Sequence, residues 1–152
     1  MLAHNGIRMV FGGGDVGLMG TVANGALNAG GEVIGVSTHN VVAKQEPVHT
    51  GVHVQVVNGV NERKQRMYEL SDAFIILPGG IGTLNELTDI MTMQQIGETK
   101  KPLFFLNTDN FWSPFASLFV HMQNCGFIED VRDYNIRITA TPEELEREIK
   151  NY

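Results

Sequence analysis

Short apolar runs alternate along the chain with segments whose apolar residues recur every three or four positions, the pattern of parallel β/α units. IRMVF (7–11), EVIGVS (32–37), VHVQVV (52–57), AFIIL (73–77) and PLFFLN (102–107) read as strands, and IRIT (136–139) as a short sixth. Residues 17–30, 60–71, 83–97, 111–126 and 141–150 read as helices, the last with Thr141 as N-cap and Pro142 at its first position. The stretch from Lys44 to Gly51 is polar and weakly patterned, and MLAHNG reads as the tail of a helix closed by a glycine. No linker, repeat or low-complexity segment interrupts the alternation. The expectation is α/β: one Rossmann-like domain over residues 1–152, with a single doubly wound, mostly parallel sheet and helices on both faces. A helix docked on a parallel sheet usually follows its own strand, a unit of roughly 30 residues, so the pattern also implies that the first β/α unit is lacking.

Composition narrows the functional classes. Hydrophobic residues make up 43% and charged residues 18%, and the net charge is −6. That balance suits a packed domain and argues against a general nucleic-acid surface, which needs a surplus of Lys and Arg. A small anion remains compatible, because a few backbone amides and one or two cations bind it locally. The single cysteine, Cys125, excludes an internal disulfide. No apolar stretch is long enough to span a bilayer, and the N-terminus lacks a signal-peptide pattern, so a cytoplasmic setting without membrane contact is expected. The histidines (4, 39, 49, 53 and 121) show no metal-ligand spacing, and Lys44, Lys64 and Lys100 give no pyridoxal-binding signature. Neither metal nor cofactor is expected.

Candidate chemistry gathers at two strand ends. The first strand runs into FGGGDVGLMG (11–20) and the fourth into PGGIGT (78–83). In parallel sheets ligands bind beyond the carboxyl ends of strands, where glycines let backbone amides approach an anion and helix N-termini add partial positive charge. Neither loop has the GK[ST] of a P-loop, and the first misses the GxGxxG spacing, which disfavours a nicotinamide cofactor. Gly12, Gly13, Gly14 and Gly17, with Gly79, Gly80, Ile81, Gly82 and Thr83, are therefore candidate phosphate contacts. Thr83 and Glu86 also fit a capping box, which accounts for both without chemistry. Asp15 is the only other acid in either loop.

The helix VNERKQRMYELS (60–71) carries an anomaly. Its apolar stripe runs Val60, Met67, Leu70, and Arg63 projects from that stripe, with Lys64 on its flank. A guanidinium on a core-facing side needs a carboxylate, carbonyls or a bound anion. A snorkelling arginine or a structural ion pair is the plainer alternative.

Taken together, these motifs resemble the LONELY GUY family of cytokinin-activating enzymes, often labelled lysine-decarboxylase-like. The hallmark PGGxGTxxE is matched from Pro78 to Glu86, and GGGxxGLMG from Gly12 to Gly20. The M-H-x-R-K motif is present as Val60 to Lys64 with its Met-His start altered, and E-x-x-H-x-G is met by Glu46, His49 and Gly51. The resemblance implies hydrolysis of the N-glycosidic bond of a nucleoside 5′-monophosphate, AMP or a cytokinin riboside monophosphate, to free base and ribose 5-phosphate. It makes Arg63 and Glu86 the catalytic pair and Lys64, Gly80 to Glu86, and Thr92 substrate contacts. Arg63 would either hold the phosphate, or fix Glu86 and polarise the departing base. The family implies a homodimer or higher oligomer with sites near the interface. Met93 stands where the family usually has tryptophan, which would reshape the base pocket. The rival reading is a non-catalytic carrier of a phosphorylated ligand, similar to molybdenum-cofactor carriers.

Overall fold

The computed structural model describes residues 1–44 and 47–152 and divides them into two compact units, Met1–Ser71 and Asp72–Tyr152. In the first, β1 (Met9–Phe11), β2 (Val33–Thr38) and β3 (Val54–Val57) form a parallel sheet in that order, with Met9 opposite Val33 and Gly35 opposite Val54. Between them run α1 (Gly17–Asn28) and α2 (His39–Lys44), and α3 (Val60–Leu70) follows β3. Met9, Phe11 and Ala23 form the core, packed by Met19, Val22, Val33 and Val52. The N-terminal segment is one 3₁₀ turn, Ala3–Asn5, ended as expected by Gly6 in the left-handed region (φ 66°). The helix α2 has no counterpart in the hydrophobic pattern, because HNVVAK is too short to show a helical period; the Thr38 hydroxyl starts it by accepting from Val41 N–H at 3.2 Å.

In the second unit β4 (Phe74–Ile76), β5 (Leu103–Leu106) and β6 (Ile136–Thr139) form another parallel sheet, with Phe74 opposite Leu103 and Phe105 opposite Ile138. The helices α4 (Ile81–Gln95), α5 (Ser113–Asn124) and α6 (Pro142–Lys150) follow the three strands. Leu103 and Phe104 are fully buried and Phe105 nearly so. From Phe105, ring contacts continue through Trp112, Phe115 and Phe119 to Tyr134. The α/β class with parallel strands is as the pattern implies, but the sheet is not single. Among the described residues, hydrogen bonding joins the strands as two sets of three, β1-β2-β3 and β4-β5-β6.

Two local features of the second unit carry testable energetics. Thr141 caps α6 as expected, its hydroxyl accepting from Glu144 N–H at 3.2 Å, while the Glu144 carboxylate accepts from Ala140 N–H at 2.8 Å. Thr141→Ala should cost about 1 kcal/mol in denaturant unfolding, and an unchanged midpoint would rule out the cap as a contributor. Further back, Asp130 accepts from the Arg132 side chain and from Arg132 N–H, which holds its carboxyl at about 2 instead of 3.8. A lowered carboxyl pKa stabilises the fold above the ordinary value and loses that contribution as pH falls toward about 2. Asp130→Asn should therefore unfold at lower denaturant than the parent at pH 6, with the gap closing between pH about 4 and 2; a gap constant with pH would exclude the pair as its cause.

Candidate functional site

The first glycine loop is built around a guanidinium. Beyond β1 the chain turns through Gly12, Gly13 and Gly14, with Gly13 left-handed at φ 79°. Arg63, in the first turn of α3, reaches back to this turn, and its Nε donates to the Val36 carbonyl at 2.9 Å. A Cβ on Gly12 would collide with the Arg63 guanidinium, so the glycine is what lets the arginine lie against the loop. Arg63 thus reaches a strand carbonyl, as its place on the core-facing side requires. The stripe that exposed the anomaly is partly corrected: Val60 is 52% exposed, so the N-terminal end of α3 is not core. Lys64 follows Arg63 and is half-buried. Gly17, at φ 61°, leads into α1, whose N-cap Val16 provides no capping hydrogen bond.

The segment after α2 clasps this loop. His49 N–H donates to the Gly13 carbonyl and Asp15 N–H to the Pro47 carbonyl, both at 3.0 Å, around an antiparallel bridge between Gly14 and Val48. His49 is 3% exposed, with its ring edge-on to Phe11. Gly51 N–H donates to His49 Nδ1 at 3.1 Å, which places the ring proton on Nε2. That atom lies 3.6 Å from Asp15 Oδ1 and, among the described residues, has no hydrogen-bond partner. Glu46, the acid of the E-x-x-H-x-G motif, lies outside the described residues.

The second loop takes a different form from the capping box. The N-cap of α4 is Gly80, which has no side chain to cap with, and the helix starts at Ile81, so Thr83 stands inside the first turn. The first intrahelical bond is Leu84 N–H to the Gly80 carbonyl at 3.0 Å, and the amides of Ile81, Gly82 and Thr83 precede it. Thr83 instead folds against Gly79, where a Cβ would collide with its hydroxyl. Ile81 is 81% exposed at this turn. Glu86 is half-buried on the next turn of α4. Thr92 lies about one and two-thirds turns further on, hence on a different side of the helix, and its hydroxyl donates to the Thr88 carbonyl at 2.8 Å.

The structure therefore brings Gly12, Gly13 and Arg63 together in one unit, and Gly79, Gly80, Thr83 and Glu86 on one turn and helix start in the other. It does not bring Thr92 onto the face of Glu86. Sequence reasoning missed the Val36 carbonyl and the pairing of Asp15 with His49; the signal for the latter was the motif histidine itself, adjacent to an acidic glycine loop.

Parallel strands that lead through glycine turns into helices, three to each sheet, define a protein of the α/β class. Residues 19–149 match the family model described as "Possible lysine decarboxylase", and the chain belongs to that family, whose curated relatives here are LONELY GUY-type sequences. It is 42% identical over 84% of its length to the cytokinin riboside 5′-monophosphate phosphoribohydrolase of Rhodococcoides fascians, and covers 65% of that protein. It is 41% identical over 99% of its length to cytokinin riboside 5′-monophosphate phosphoribohydrolase LOG of Oryza sativa subsp. japonica, covering 62% of that protein. The chain thus spans less than two thirds of either relative. Among solved structures, the molybdenum cofactor binding protein of Rippkaea orientalis matches with a TM-score of 0.69 at 26% identity, covering 99% of this chain and 80% of that one.

Proposed function

We propose that the chain acts on a nucleoside 5′-monophosphate, AMP or a cytokinin riboside monophosphate, and hydrolyses its N-glycosidic bond. The observation that carries this reading is α4: an N-terminus left open by Gly80, with Glu86 six residues further along the same helix. The amides of Ile81, Gly82 and Thr83, with the helix dipole, favour a phosphate there. As the C1′–N bond breaks, its electron pair leaves with the base, which takes up a proton, and positive charge develops on the ribose. A carboxylate such as Glu86 stabilises that charge or orients the water whose oxygen ends on C1′. Arg63, Lys64 and Thr92 belong to the proposal as substrate contacts, with Arg63 acting on the phosphate or on the departing base. The relatives' printed names support the substrate class. A homo-oligomer in a cytoplasmic setting completes the reading. Its apolar contact is sought at Phe111, Leu118 and Phe127, which are 48%, 52% and 80% exposed. Among the described residues no helix is long and apolar enough to cross a membrane.

Chromatographic detection of base from AMP and isopentenyl-AMP tests the reaction, with release from at least one of them expected. The likeness to a molybdenum cofactor binding protein supports a second reading, a carrier that binds its phosphorylated ligand without turnover. Tight nucleotide binding with no base released from either substrate would overturn the hydrolase in favour of that carrier.

A further inference from the structure

We propose that His49 is a positioning residue for Arg63: it sets where the first glycine turn lies, and through that turn where the guanidinium lies. Every contact involved is within Met1–Ser71. Three successive glycines, Gly12 to Gly14, bring no side chains with which to hold a turn, and glycine loses more freedom on ordering than any other residue. The turn is therefore held by its surroundings. It rests on β2 and β3, where a Cβ on Gly35 would come within 3.0 Å of Gly13 Cα and one on Gly13 within 2.8 Å of Val54 Cγ1.

His49 adds a hold at both ends of the turn and in its middle. Its ring lies edge-on to Phe11, the residue before Gly12, with centroids 6.1 Å apart. Its Nε2 faces the carboxylate of Asp15, the residue after Gly14, at 3.6 Å. Its backbone N–H donates to the Gly13 carbonyl at 3.0 Å. The ring is itself fixed, because Gly51 N–H donates to Nδ1 at 3.1 Å and the residue is 3% exposed. Arg63 then lies directly on what His49 holds. A Cβ on Gly12 would collide with the guanidinium, and the Nε bond to the Val36 carbonyl at 2.9 Å fixes the head between turn and strand. In a close-packed interior a displaced turn displaces what it touches. His49, nearly fully buried, acts on the arginine only through the turn.

The test reads Arg63 directly in the full chain, by the NMR signal of its Nε–H and the exchange of that proton with solvent. In the parent the proton should be protected, as a donor to Val36 is. Gly12→Ala, whose Cβ would land on the guanidinium, supplies the signal of a displaced head. His49→Phe keeps a ring against Phe11 but loses the acceptor for Gly51 and the N–H facing Asp15. Its Arg63 signal should move toward that of Gly12→Ala, with exchange faster by about tenfold or more. Asp15→Ala should move the signal the same way by less, and carries the comparison if His49→Phe does not fold. A histidine that only stabilised the unit would give earlier melting while the folded variants kept the parent signal, and that result overturns the assignment. Base release from AMP is a second readout, which rests on the hydrolysis proposed above. There His49→Phe should lose about tenfold, and almost nothing further in an Arg63→Ala background. Fully additive losses overturn the inference. A parent that releases no base would sink the hydrolase, and the Nε–H comparison alone then decides whether His49 positions Arg63.

Discussion

Replacing Glu86 with glutamine is expected to lower base release from AMP by about a hundred- to a thousandfold, the usual scale for losing one preorganised charge at a reacting centre. Glutamine keeps the size and one acceptor oxygen but no negative charge, so it neither stabilises a cationic sugar nor takes a proton from water. The fall should lie mainly in kcat, because the charge it answers develops only in the transition state. Stability should change by no more than about 1 kcal/mol: Glu86 is half-buried in the body of α4, and Gly80 rather than Thr83 is the N-cap, so no capping box is broken. Turnover retained within a few-fold in Glu86→Gln would remove Glu86 from the chemistry. A matching collapse of stability would show instead that the residue holds the helix.

Gly12→Ala should be the second large effect, and it should separate activity from folding. The new Cβ would land on the Arg63 guanidinium, the movable end of a long side chain, while Gly12 itself lies outside the left-handed region. The backbone can accept alanine and the arginine cannot stay, so its Nε bond to the Val36 carbonyl is pulled out of place. A displacement of about 1 Å in a positioning group can cost about a hundredfold in rate. That is the expected loss, with melting little altered. Gly13→Ala should behave oppositely: φ 79° and a Val54 Cγ1 contact of 2.8 Å make the substitution strained whatever Arg63 does, and folding suffers first. The decisive comparison is Gly12→Ala in an Arg63→Ala background. If the glycine serves the arginine, the second change should cost almost nothing further; fully additive losses would refute the link.

The strands were legible because buried parallel strands are written as apolar runs such as AFIIL and PLFFLN, and five of the six fall within the runs that announced them, β2 running one residue past its own to Thr38. Pairing was not legible, since an apolar run names a strand without naming its neighbour, and the expected single sheet is two sheets of three. The start of α4 was misplaced because T-x-x-E imitates a capping box, while the true first turn, Ile81–Gly82–Thr83, hides behind a glycine of poor helix propensity. At the candidate site, the misfit of Arg63 on its helix face was visible in the spacing alone. Its partners were not, because Gly12 and Val36 meet it only through the packing of α3 against β1 and β2.

The contact between Gly12 and Arg63 also changes how variation in this chain should be interpreted. The two positions are far apart in sequence but share one small volume, which either a side chain at 12 or a guanidinium from 63 can occupy. Tolerance at position 12 is then conditional: the same alanine is harmful while an arginine is at 63 and nearly silent once it is gone. Position 13 has no such dependence, because its constraint is the sign of φ. Of two adjacent glycines, one is therefore held by a distant side chain and the other by its own backbone, and single-substitution scans that read activity alone would score them alike.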